Sequence, residues 1–107
     1  MDGAISQDPV LSRFRAALAA TYGDRLERAV LFGSRARGDA RPDSDYDIAV
    51  FIREPDGWFD EVIRLADLGT DILLDTGAVI SAKPFPAGAY DKPAPLMREI
   101  RREGIDL

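Results

Sequence analysis

Two apolar runs, Arg28-Ala-Val-Leu-Phe32 and Asp45-Tyr-Asp-Ile-Ala-Val-Phe-Ile52, stand only 12 residues apart in the chain. Short runs this continuous in apolar residues predict strands buried on both faces. The connection between them, GSRARGDARPDS (33–44), is rich in Gly, Arg and Asp, with space for one helical turn. Strands buried on both faces need helices on both sides, so the remaining apolar residues must wrap one small sheet.

The flanking sequence supplies those helices. Residues 1–7 read as a frayed start. Asp8-Pro9 is a helix-start signal, and Leu11, Phe14, Leu18 and Tyr22 follow at helical spacing up to a stop at Gly23. Pro55-Asp56-Gly57 is a turn. From Trp58, small or apolar residues at 58, 62, 65, 69 and 72 predict a second helix to about Asp75, closed by Thr76-Gly77. Ala78–Ala82 reads as a third strand, 83–93 as a Pro/Gly loop, and Pro95 to Glu103 as a last helix. That helix turns Leu96 and Ile100 inward, with Gly104 as its C-cap. The expected fold class is α/β (α+β): a small mixed sheet of three or four strands flanked by helices, in one domain over 1–107.

Composition narrows the chemistry. The chain has neither Cys nor His. That rules out disulfides, Cys nucleophiles and any Ser-His-Asp triad. Carboxylates, hydroxyls, Arg, backbone amides or a hard metal ion must do any catalytic work. A net charge of -5 argues against direct nucleic-acid binding, since phosphate backbones select basic surfaces. No apolar run approaches the roughly 20 residues that span a bilayer, so no membrane role is expected. The MDGAISQDPV start lacks the basic-then-apolar pattern of a signal peptide, and a cytoplasmic location is the expectation.

One segment concentrates reactive groups. Asp45 and Asp47 lie two apart at the start of an expected strand, which points both to one face with Cβ atoms roughly 6–7 Å apart. Two like charges at that distance repel by ~2 kcal/mol at an effective dielectric near 20. A divalent cation reverses the sign, and paired carboxylates suit Mg²⁺. Ten residues separate them from Gly33-Ser34 at the end of the preceding strand. Gly33 permits close backbone approach to a ligand, and the Ser34 hydroxyl can hold phosphate oxygens. Arg35, Arg37 and Arg41 add charge-assisted donors; Arg37 could instead brace the loop by pairing with Asp39 or Asp43. Gly33-x₄-Gly38 is superficially like a P-loop, but Asp39-Ala40 stands where Lys and Ser or Thr belong. Trp58, Phe59, Phe85 and Tyr90 could stack on a nucleobase; core packing is the expected role of the first two and loop anchoring of the others.

The pattern GS-x₁₀-D-x-D across two strands resembles the signature of the DNA polymerase beta-like nucleotidyltransferase superfamily. GSRARGDARPDSDYDIAVF, 33–51, is similar to the minimal nucleotidyltransferase domain in particular. The order of elements and the closing LMREIRREGIDL extend the likeness over most of the chain. That family includes antitoxins paired with HEPN-domain ribonuclease toxins. The resemblance implies a polymerase beta-like fold, Asp45 and Asp47 as catalytic Mg²⁺ ligands, and Gly33, Ser34, Arg37 and Arg35 as binders of a nucleoside triphosphate. It also implies transfer of AMP from ATP to a hydroxyl, here a Tyr of a cognate HEPN toxin. The superfamily usually supplies a third carboxylate from a later strand. Ser81 stands near that position, and Asp75 belongs to a helix end. A degenerate domain that neutralises its partner by binding, and an enzyme acting on a small molecule, therefore stay open as alternatives.

Overall fold

The computed structural model describes residues 7–107. The expectation for the start of the chain otherwise falls on residues outside it. Helix α1 (Pro9–Tyr22) begins as its sequence signal predicts: the Asp8 carboxylate accepts from the amides of Val10 (2.8 Å) and Leu11 (3.4 Å). Strand β1 (Leu26–Phe32), a single turn α2 (Ser34–Arg37) and strand β2 (Tyr46–Ile52) follow. Helix α3 (Trp58–Thr76), strand β3 (Ile80–Pro86), helix α4 (Pro95–Glu103) and the short strand β4 (Ile105–Asp106) complete the order. The sheet runs β3-β2-β1-β4; β2 pairs antiparallel with β1 and parallel with β3, and β4 pairs antiparallel with β1. This is the mixed sheet the sequence predicts.

Both faces of the two central strands are covered, which accounts for their continuous apolar runs. On one face Leu11, Phe14, Leu18 and Tyr22 of α1, with Leu65 and Ile72 of α3, pack against Leu31, Ile48, Val50 and Ile52. On the other, Met97 and Ile100 of α4 pack against Val30, Phe32, Ala49 and Phe51. The α4 expectation is half corrected: Met97 turns inward beside Ile100, while Leu96 is 36% exposed.

Two further expectations are corrected. β3 starts later than Ala78 and runs through Lys83 to Pro86, residues expected in a loop. Proline is tolerated because β3 is an edge strand. The Val79 carbonyl and the Ala87 amide bond to β2, so odd-numbered residues face that neighbour. By alternation Pro84 and Pro86 turn their missing N–H groups to the open edge. In α3, Trp58 and Phe59 are 69% and 66% exposed, against their expected core role. The inward position of that first turn belongs to Glu61, which is fully buried. Its carboxylate accepts from Tyr22 Oη (2.8 Å), Arg64 Nη1 (2.7 Å) and the Asp56 amide (2.9 Å). A buried charge is tolerated when its oxygens are satisfied this fully.

Candidate active site

The site lies where β1 ends and β2 begins, on the face that α4 covers. Asp47 sits opposite Phe32 of β1 and Ser81 of β3. Its neighbours Tyr46 and Ile48 pack towards α1 and α3, so Asp47 shares the other face with Ala49 and Phe51. Asp45 precedes the strand by one residue, against its expected place as the first strand residue. Burial is the largest influence on Asp47 and pushes its carboxyl up; the Asp45 charge adds to the rise, and Lys83 and Arg37 oppose it.

Gly33 stands against that carboxylate. It adopts φ 77°, and a Cβ there would collide with Asp47 Oδ2. Only glycine meets both demands. Ser34 follows as the first residue of α2; the Ala36 and Arg37 amides donate to the Gly33 carbonyl (3.1 and 3.0 Å), and those of Ser34 and Arg35 open the turn ahead of them. The two arginines are held differently. Arg35 donates through Nε and Nη2 to the Ser44 carbonyl (2.9 and 2.7 Å), and its guanidinium lies 3.9 Å above the Tyr46 ring. It braces the 41–44 segment that leads into Asp45. Arg37 is paired with Asp39 (3.3 Å) and, beyond the loop, with Glu103 (3.2 Å).

Two residues at the site escaped sequence reasoning. Lys83 lies two residues beyond Ser81 on the same face of β3, near enough to Asp47 to act on its carboxyl. Strand alternation continued past Ala82 would have found it, but the flanking prolines suggest a loop. Glu103 carried no local signal, because its partners are 66 and 70 residues away in sequence. Ser81 is the β3 residue directly beside Asp47, so a serine stands where the resemblance implies a third carboxylate. Among the described residues no group of three or more acidic, His or Cys side chains could hold a metal ion. The donor set still fits a hard divalent cation in part. Two neighbouring carboxylates, one raised by burial, gain from such an ion, and nucleotide and water oxygens would complete its shell. Phe85 and Tyr90 both pack on Phe51, with ring centroids 5.4 and 5.6 Å away; Tyr90 does so from the loop as expected, whereas Phe85 does so from within β3.

A glycine turn pressed on a strand-borne aspartate at the end of a mixed sheet defines a class. The family model described as "Polymerase beta, Nucleotidyltransferase" matches residues 17–87. The chain belongs to that family and is a nucleotidyltransferase. It is 40% identical over 78 residues to "Putative protein adenylyltransferase MJ0604" of Methanocaldococcus jannaschii, covering 73% of this chain and 72% of that protein. A solved structure described as a "putative minimal nucleotidyltransferase" is 31% identical, with a TM-score of 0.57 over 90% of each chain. Another, described as "the toxin-antitoxin with AMP-PNP", shares the fold at a TM-score of 0.58 and 18% identity. It covers 87% of this chain and 68% of its own.

Proposed function

We propose that this chain transfers AMP from ATP to a hydroxyl on a partner protein, and that the acceptor is a Tyr of a cognate HEPN-domain toxin, which the transfer silences. The observation that carries this reading is the Asp47 carboxylate pressed against Gly33, with Asp45 two residues before it in the chain. The name of the M. jannaschii relative and the toxin–antitoxin structure with a bound ATP analogue support the choice of reaction and partner.

In this reading Asp45 and Asp47 would hold Mg²⁺, which would supply charge neutralisation for the triphosphate. Gly33 lets the backbone approach the phosphates, and the Ser34 hydroxyl and the first α2 amides donate to them. Arg37 adds charge; Arg35 acts by fixing the segment that carries Asp45. The acceptor oxygen forms a bond to the α-phosphorus, the bond to pyrophosphate breaks, and the hydroxyl proton passes to solvent. An apolar hollow of about 340 Å³ lined by Trp58, Val62, Pro84, Phe85 and Leu96 adjoins Lys83. Its apolar walls and the Lys83 ammonium suit an aromatic side chain that carries a hydroxyl.

The chain is incubated with ATP, Mg²⁺ and the product of the neighbouring gene, and that product is weighed. A gain of one AMP is expected, lost with Asp45→Asn or Asp47→Asn. A second reading is neutralisation by binding alone, and Ser81 beside Asp47 favours it. Under that reading both Asn variants still neutralise the partner while no mass is gained.

A further inference from the structure

The end of the chain reaches back to the phosphate loop. Glu103, the last residue of α4, is 12% exposed. One of its oxygens, Oε1, accepts from both the Gly33 amide (3.3 Å) and Arg37 Nη1 (3.2 Å). Both partners belong to residues assigned above to the triphosphate site.

Its place is set from two directions. β4 pairs Val30 with Asp106 and Leu31 with Ile105, and that antiparallel register carried two steps further brings residue 103 abreast of Gly33. Gly104 passes so close to β1 that a Cβ would collide with Val30 Cγ1 and the Ile100 carbonyl oxygen. The backbone beside Glu103 is therefore pinned by packing. Among the described residues Arg37 has one other partner, Asp39, but that carboxylate is 63% exposed and such pairs hold geometry weakly. Arg side chains lose much rotamer freedom when they bind. An arginine already held at the loop does not have to lose that freedom when the nucleotide arrives.

We propose that Glu103 is a positioning residue for nucleotide binding: anchored on the Gly33 amide, it holds the Arg37 guanidinium at the phosphate loop, with that group's other N–H donors left for the triphosphate, which Glu103 itself does not touch. This rests on the nucleotidyltransferase reading of the site. The test is calorimetric titration of Mg–ATP into the wild-type chain, Glu103→Ala, Glu103→Gln, Glu103→Asp, Arg37→Ala and the Arg37→Ala/Glu103→Ala double variant, with thermal unfolding of each. Glu103→Ala should weaken binding about tenfold, the scale of one charge-assisted hydrogen bond. Glu103→Gln, which keeps an accepting oxygen, should stay within about threefold of wild type. Glu103→Asp keeps the charge but withdraws it by one methylene, and it should weaken binding several-fold. In the Arg37→Ala background the Glu103→Ala loss should disappear, since residues acting as one unit are not additive.

Glu103→Ala binding as tightly as wild type, or more tightly, overturns the proposal; tighter binding would make the carboxylate a competitor of the phosphates. A loss undiminished by Arg37→Ala overturns it in favour of general support of the fold. If Glu103→Ala does not fold, Glu103→Asp at wild-type affinity is equally fatal. A wild-type chain that fails to bind Mg–ATP removes the functional reading and this one together, whereas wild-type binding with unaffected variants removes this one alone.

Discussion

Asp47 pays at the residue scale for what it does. Burial first, and Asp45 next, lift its carboxyl above the ordinary 3.8. A raised carboxyl contributes stability below the unfolded value, and that contribution is lost as pH rises through the folded one. At neutral pH the ionised group is thus a net liability in the absence of a cation. Asp47→Asn should raise the unfolding midpoint of the ligand-free chain by about 2 °C while lowering AMP transfer by ~10³-fold or more. Differential scanning calorimetry and the mass assay read the two effects. A lowered midpoint would show that the carboxylate is structural. Much of this was legible from the sequence. Gly33 and Asp47 are ten and more residues apart, but each sits at a strand end and the antiparallel pairing of β1 and β2 joins them. The contact of Arg37 with Glu103 was not legible, because it depends on a two-residue strand, β4, too short to leave an apolar pattern.

Among the elements, β3 is the longer edge strand: among the described residues no strand pairs with its outer side, and a bare strand edge invites pairing with another chain. Pro84 and Pro86 remove two donors from that edge. Pro84→Val should therefore leave the fold intact yet increase self-association, seen as an elution volume that falls as concentration rises. An unchanged elution profile across a hundredfold dilution would show that the prolines do not guard the edge. The same prolines hid the second half of β3 from sequence reading. In α4 the ambiguity was geometric: Leu96 lies four residues before Ile100 and Met97 three, so both spacings fit one helical stripe. In α3 the stripe was misjudged at its start because its first inward position holds a carboxylate, Glu61, instead of an apolar side chain. α1 was legible throughout, since Asp8-Pro9 fixed its start and every expected inward residue is buried.

For the molecule as a whole, the Glu61 cluster joins α1, the turn before α3 and α3 itself. Burial alone would raise the Glu61 carboxyl; the Asp56 amide, the Tyr22 hydroxyl and Arg64 overcome it and hold the group below 4.5. A depressed carboxyl stabilises above its unfolded value, so this contribution fades as pH falls below about 4.5. Tyr22 behaves in the opposite sense. Burial, then Glu61, raise its hydroxyl from 10.0 to about 12. Its contribution, on the order of 2–3 kcal/mol, is present below pH 10 and drains away between 10 and 12. Tyr22→Phe should flatten that alkaline limb in urea titrations and cost about 1–2 kcal/mol at neutral pH, where Glu61 loses a donor. An alkaline limb identical to wild type would assign it to other groups. No helix among the described residues is long and apolar enough to cross a membrane.

Trp58 is the single tryptophan of the chain and is 69% exposed at the first turn of α3, on the rim of the hollow beside Lys83. Its fluorescence consequently reports the solvent boundary and not the interior. Emission from the folded chain should already lie near the wavelength of free indole, and denaturation should barely move it. A protein that seats an aromatic side chain in the hollow would instead shield the indole and shift its emission to the blue, an optical signal of docking that needs no label.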